Sequence, residues 1–266
     1  MRNPKVNVPV AAKNRTHFDL SSQTITTQDF GRIDVGNVIE MLPGDKITSA
    51  TVKNFIRLAP MPVPTFARCH LKTRVIFVPN RLIYKGWENF ISNQLTLDFQ
   101  GAKKPNIPSM KYDLVANFLT ENNLKLLYLT EITDDAQKKN ADFVYDDGSA
   151  SYKYYKLKRR GKNVKNLLEG LGYGFPQCAL KQNQLWYSLL PLYAYHKAYF
   201  DWFRNPKYSS SYNPLESLFD AVVPDDNAIK SAAGELFNPR FCSFEQDVFS
   251  SAWESPSTTY LDATLY

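Results

Sequence analysis

The feature that most constrains this chain is a strict alternation from Cys69 to Phe77. Cys69, Leu71, Thr73, Val75 and Phe77 fall in one phase, and His70, Lys72, Arg74 and Ile76 in the other. A period of two belongs to a β-strand whose faces meet different surroundings, here one largely apolar and one largely basic. Just upstream, Pro60, Pro62 and Pro64 forbid both helix and central ladder pairing, so this stretch is a loop. Earlier still, Phe30–Met41 is rich in β-branched residues, with Ile33 and Val35 in one phase and Ile39 and Met41 resuming after Gly36-Asn37, where a bulge can re-aim a strand. Leu42–Lys46 (LPGDK) is turn chemistry, and Thr51–Leu58 is a further strand candidate. β segments joined by loops rather than crossover helices predict an antiparallel scaffold. Three strands leave a sheet face short of partners.

Beyond Pro79 the pattern becomes helical. Asn80 is a candidate N-cap, with Ile83, Trp87 and Phe90 at helix spacing, and a second helix after Pro108-Ser109 places Leu114, Phe118 and Leu119 on one face. A charge-rich loop is expected from Glu131 through Asp146-Asp147-Gly148 and on into YKYYKLKRRGKNVK. The longest helix is predicted from about Leu185 to Arg204, where Leu185, Leu189, Leu192, His196, Tyr199 and Phe203 recur at three- and four-residue steps. Pro191 implies either a kink or a fresh start with Pro in the first turn, and Asn205-Pro206 ends the helix. A short helix near Leu215–Val222 and then irregular chain complete the pattern. This divides the chain into a basic extended arm (1–29), a strand region (30–80) and a helix-and-loop region (81–266).

Several function classes are excluded by missing residues. There is no GxxxxGK[ST], GxSxG or HExxH, and His17, His70 and His196 are the only histidines, so no catalytic residue is assigned and an enzyme is not expected. Gly170-Leu171-Gly172-Tyr173-Gly174 lacks dinucleotide-binding spacing and reads as a helix end and loop. His196 and Asp201, at i and i+5, do not share a helix face, which makes His196 a core or interface residue. Asp134-Asp135 and Asp146-Asp147 read as solvated turns, so no metal is assigned and no cofactor is expected. Cys69, Cys178 and Cys242 have no CxxC partner, which suits reduced structural thiols. No run of 18 apolar residues occurs, and no membrane partner is expected.

Positive charge is the main clue to a partner. The formal net charge is +6 and the isoelectric point about 9.0, with 14% aromatic residues. Lys153, Lys156, Lys158, Arg159, Arg160, Lys162 and Lys165 interleave with Tyr152, Tyr154 and Tyr155. Cations neutralise phosphates and aromatic rings stack on bases without demanding a sequence, which is the chemistry of non-specific single-strand binding. The alternative is a solvated surface loop. Candidate nucleic-acid contacts are therefore Arg2, Lys5, Lys13 and Arg15 in the arm, and Lys156, Lys158, Arg159, Arg160 and Lys162 in the run.

Several segments, taken in order, resemble one known family. HFDLSSQTITTQDFGRIDVGNVIEMLPGDKI is followed by FIRLAPMPVPTFARCHLKTRVIFVPNRLIYKGWENFI, with the FVPNRL hallmark at Phe77–Leu82 and Trp87 after it. NLLEGLGYGFPQ, SLLPLYAYHKAYFDWFRN and DVFSSAWESPS follow. This pattern is similar to the amino-terminal half of the major capsid protein of Microviridae, closest to the gokushovirus branch. Departures are Trp253-Glu254, where the family has proline, and Tyr193, where it has arginine.

The resemblance implies a mainly β fold with helical insertions, a partial viral jelly roll (antiparallel β-sandwich) carrying a long helix-loop insertion. It implies a T=1 icosahedral coat subunit whose partners are further copies of itself in pentamers and a shell of sixty subunits, viral single-stranded DNA, and other virion or scaffolding proteins. It implies a virion location, with assembly in the bacterial host cytoplasm. The remaining strands of the jelly roll are expected beyond Tyr266. Trp87, Trp186, Trp202 and Phe203 are the candidate subunit-interface residues. The alternative function is a sequence-tolerant single-stranded nucleic-acid-binding module without a shell.

Overall fold

A helix satisfies its own backbone hydrogen bonds whereas a strand needs a neighbour, and the chain divides along that difference. The computed structural model describes residues 17–60, 69–98, 101–103, 106–111, 113–121, 124–146, 152–175, 178–179, 185–205 and 212–242. In its first part, residues 36–60 are exposed throughout and belong to no ladder. The LPGDK turn forms as expected: the Asp45 amide donates to the Leu42 carbonyl at 3.0 Å, with Gly44 at φ +95°. The alternating segment Cys69–Phe77 also lacks a ladder, and Leu71, Val75 and Phe77 lie in solvent. The one pairing in the described strand region is an isolated antiparallel bridge between Arg32 and Phe241.

From Pro79 onward the chain builds a packed body. A 3-10 turn (Asn80–Leu82) precedes α1 (Trp87–Ser92); Pro79, not Asn80, caps that turn, and Gly86 separates the two. β1 (Thr96–Asp98) and β2 (Gly101–Lys103) pair antiparallel. Then come β3 (Ser109–Lys111), α2 (Asp113–Thr120), α3 (Lys125–Tyr128) and β4 (Leu129–Glu131). β5 (Phe143–Asp146) and β6 (Tyr152–Leu157) lead into α4 (Arg159–Gly170), β7 (Cys178–Ala179) and β8 (Trp186–Ser188). α5 (Leu190–Ala198) continues as a π-helical turn (Tyr199–Phe203), followed by α6 (Glu216–Phe219), α7 (Asp226–Ser231) and α8 (Ala233–Phe237). A four-stranded sheet has the order β4-β6-β5-β7, antiparallel except for the β5–β7 pair, and β3 pairs with β8.

The core lies between the inner face of that sheet and helices α2, α4, α5 and α8. Phe143, Tyr155 and Leu157 point in from the sheet; Phe118, Leu119, Val164, Leu167, Leu168, Leu192, Leu236 and Phe237 meet them from the helices. Phe118 packs edge-on to Tyr128 at 5.3 Å and against Phe237 at 5.5 Å between ring centroids. Burying such side chains is worth about 1.5–3 kcal/mol each.

Three expectations change. Helix outweighs strand, at about 35% against 11%, so a mainly β chain is not what the body displays, although its helical insertions are present. The predicted 185–204 helix is shorter: β8 occupies its beginning, and Pro191 stands in the first turn of a helix starting at Leu190, the fresh-start alternative. The tail is not irregular, because Asp225 caps α7 by accepting from the Asn227 amide, and Ile229, Ala233, Leu236 and Phe237 then recur on one buried face.

Candidate interface surfaces

The basic run is not a loop. Tyr155 and Leu157 face inward on β6 while Tyr152 and Lys156 are exposed and Tyr154 is half-buried; the run then continues as α4, the longest helix among the described residues. The signal was present in the sequence as Gly161, Val164, Leu167, Leu168 and Leu171 at helix spacing, masked by the density of charge between them. Gly161 is required by a close crossing, since a Cβ there would meet the Tyr128 carbonyl oxygen at 2.6 Å. The helix ends at Gly170, and Gly172 and Gly174 adopt φ +84° and +69°, in agreement with the helix-end reading of that segment.

Lys156, Lys158, Arg159, Arg160 and Lys162 are all exposed. Two are engaged: Arg159 Nε donates to Asp29 Oδ2 at 3.0 Å, and Lys158 Nζ donates to the Leu126 carbonyl at 2.6 Å. The Arg159 hydrogen bond is the first cause holding the Asp29 carboxyl below the usual carboxylate range. Lys156, Arg160 and Lys162 make no ion pair among the described residues. Arg2, Lys5, Lys13 and Arg15 lie outside the described residues.

The four candidate interface aromatics sit on three elements. Trp87 is half-buried at the start of α1, 5.9 Å from the Phe90 ring, and with Pro79, Asn80, Arg81, Glu88, Ile91 and Ser92 it lines an open groove of about 390 Å³. Trp186 is exposed on β8 with Lys111 Nζ 5.3 Å from its ring centroid. Trp202 is 64% exposed on the π-helical turn, and the neighbouring Phe203 carries the Arg74 guanidinium at 5.1 Å. Arg74 Nη1 also donates to the Trp202 carbonyl at 3.4 Å, tying the alternating segment to the body.

Sequence reasoning missed a polar hub at Arg32, which is 3% exposed. Its Nε and Nη2 donate to the two Asp34 oxygens, each at 2.7 Å, and it also donates to Asn163 Oδ1 on α4 and to the Thr27 carbonyl. Backbone bonds flank it: Ile33 N to Arg240 O at 2.9 Å and Cys242 N to Gly31 O at 2.6 Å. Tyr195 Oη donates to the Ile33 carbonyl, and a Cβ on Gly170 would meet the Val35 carbonyl at 2.5 Å. No local pattern announces this hub, because Asn163 is 131 residues away.

His196 is fully buried, as a core histidine. Nδ1 accepts from Arg240 Nε at 3.1 Å, which assigns the proton to Nε2, donating to the Leu236 carbonyl at 2.8 Å. Burial, then the Arg240 charge, push its pKa down to about 3. Asp201 pairs with Lys197 at 3.0 Å instead. Asp134 accepts from the Ala136 amide and Asp135 pairs with Lys138, turn roles in both cases. Among the described residues no group of three His, Cys, Asp or Glu side chains could hold a metal, and no helix is long and apolar enough to cross a membrane.

Comparison with known proteins finds similarity over part of the chain. Residues 6–116 match the family model described as capsid protein (F protein). The chain is 37% identical over 92 residues to capsid protein VP1 of Chlamydia phage 1, covering 35% of this chain and 15% of that protein. It is 39% identical over 83 residues to capsid protein VP1 of Bdellovibrio phage phiMH2K, covering 31% and 15%. No solved structure matches. The proteins it resembles there are viral coat proteins, which are structural and not enzymes. Through residues 6–116, less than half of its length, the chain is similar to the capsid protein (F protein) family. The match spans 15% of the length of each curated relative.

Proposed function

We propose that this chain is the amino-terminal part of a major coat subunit that assembles with copies of itself into a T=1 shell around single-stranded DNA, in the virion, after synthesis in the bacterial host cytoplasm. The observation that carries the reading is the coincidence of the family match with exposed apolar chain: residues 6–116 match the capsid model, and within them Phe55, Val75 and Phe77 lie in solvent. Soluble proteins seldom leave so much apolar surface uncovered, and an interface or a completed sheet is the usual remedy. On this reading residues 30–80 supply jelly-roll strands that acquire ladders when further strands of the coat subunit pair with them, and the body from Pro79 onward is the insertion between strands. Trp87, Trp186, Trp202 and Phe203 are subunit-contact residues, and the basic arm with Arg2, Lys5, Lys13 and Arg15 faces DNA or a neighbour.

The test is to co-express the chain with a polypeptide that supplies the remaining coat-protein strands and examine the product by sedimentation and electron microscopy. Shells of uniform diameter are expected; a strictly monomeric product overturns the reading.

A further inference from the structure

The outer face of the β4-β6-β5 sheet has a composition the core does not explain. On β6, Tyr155 and Leu157 are buried, so Tyr152, Tyr154 and Lys156 project to the opposite side. Across the ladder these three stand opposite Asp146, Val144 and Thr130. Tyr152 is 53% exposed; the Lys138 ammonium lies 5.4 Å from the centroid of Tyr154. Beyond Lys156 the chain turns into α4, which packs Val164, Leu167 and Leu168 on the inner side and leaves the outer face uncovered by that helix.

The geometry points to a platform for single-stranded nucleic acid on this face, with Tyr152 and Tyr154 stacking on bases and Lys156 meeting a phosphate. Residues two apart on a strand are separated by about 6.8 Å, roughly twice the 3.4 Å rise of stacked duplex bases. Rings at that spacing receive the bases of an extended, unstacked strand and do not fit a duplex, whose bases are already stacked on one another. Lys158 and Arg159 are left out of the platform because the Leu126 carbonyl and Asp29 already hold them. Placing the genome on this face rests on the coat-subunit reading; the binding chemistry does not.

The experiment uses the full chain and a fluorescent oligothymidylate, with anisotropy followed against salt. Tyr152→Ala with Tyr154→Ala is expected to weaken binding by about tenfold or more at every salt concentration, since each stacked ring contributes appreciably. Replacing the same two residues by Phe keeps the rings and is expected to keep the affinity. Lys156→Ala is expected to flatten the log–log salt slope by about 0.7. Unchanged affinity in the alanine pair overturns the platform, as does equally tight binding of polyglutamate, which would mark the face as a site for acidic protein. Shell formation by the same variants is scored separately. Shells with wild-type DNA affinity in the alanine pair sink this inference alone, whereas absence of shells from the unmutated protein sinks the coat reading.

Discussion

The body from Pro79 to Arg240 and the segment from Gly36 to Val78 are nearly opposite solutions to the same problem. The body closes a core of Phe118, Tyr155, Leu167, Leu192 and Phe237, and its helices satisfy their own backbone groups. The segment carries comparable apolar residues, yet Phe55 is 93% exposed and no described residue between Gly36 and Val78 joins a ladder. The family match covers that segment and only the beginning of the body. Helices and hairpins need contacts close in sequence, whereas a sandwich strand needs distant partners before its apolar face has anywhere to go. The contrast therefore separates a part whose apolar side chains are covered from one whose apolar side chains stand in solvent.

The largest effect is expected where the two regions join. Arg32 is buried, and Asp34, Asn163 and the Thr27 carbonyl all receive its hydrogen bonds. Arg32→Met keeps much of the side-chain bulk but strands those acceptors, and breaking a buried pair from one side costs about 3–5 kcal/mol. Urea unfolding should show that loss, and proteolysis should cut near Thr27–Val35 first. A variant as stable as the wild type would mean that the strap contributes nothing to the body.

A smaller effect separates the regions by pH. His196 is neutral in the folded body, with its pKa lowered from 6.5 to about 3, whereas the unfolded chain protonates it near 6.5. Between those values the unfolded state binds more protons, so stability is full above about pH 6.5 and falls as pH drops. From pH 6.5 to 5 the loss should be about 2 kcal/mol, at about 1.4 kcal/mol per unit. Arg240 is the charged group against the ring, and His196→Asn should remove most of that slope in this window. If the slope persists in the variant, other groups carry it.

What was legible in the sequence follows the same division. The Leu42–Asp45 turn, the buried Phe118-Leu119 pair of α2, the restart at Pro191 and the helix end at Gly170 depend on neighbours a few residues away, and the sequence pattern anticipates each. The alternation at Cys69–Phe77 is equally plain, but a period of two specifies a face and not its partner. The strand and helix within Tyr152–Gly170 are masked because Lys and Arg occupy seven of the twelve positions the core leaves free. Arg32 could not be found locally at all, since Asn163 comes to it across the fold.

The smallest expected effect tests the other side of the contrast. Phe55 has almost no contact to lose in the free chain, so Phe55→Ala should change its unfolding free energy by under about 0.5 kcal/mol. Leu167→Ala in α4 deletes a fully buried side chain and should cost about 3 kcal/mol in the same measurement. On the coat-subunit reading the order should reverse on assembly: with the remaining strands supplied, Phe55→Ala should reduce the yield of shells. A large loss of stability in the free chain would show that Phe55 already packs in solution, and unchanged shell yield would show that its side chain faces solvent in the particle too.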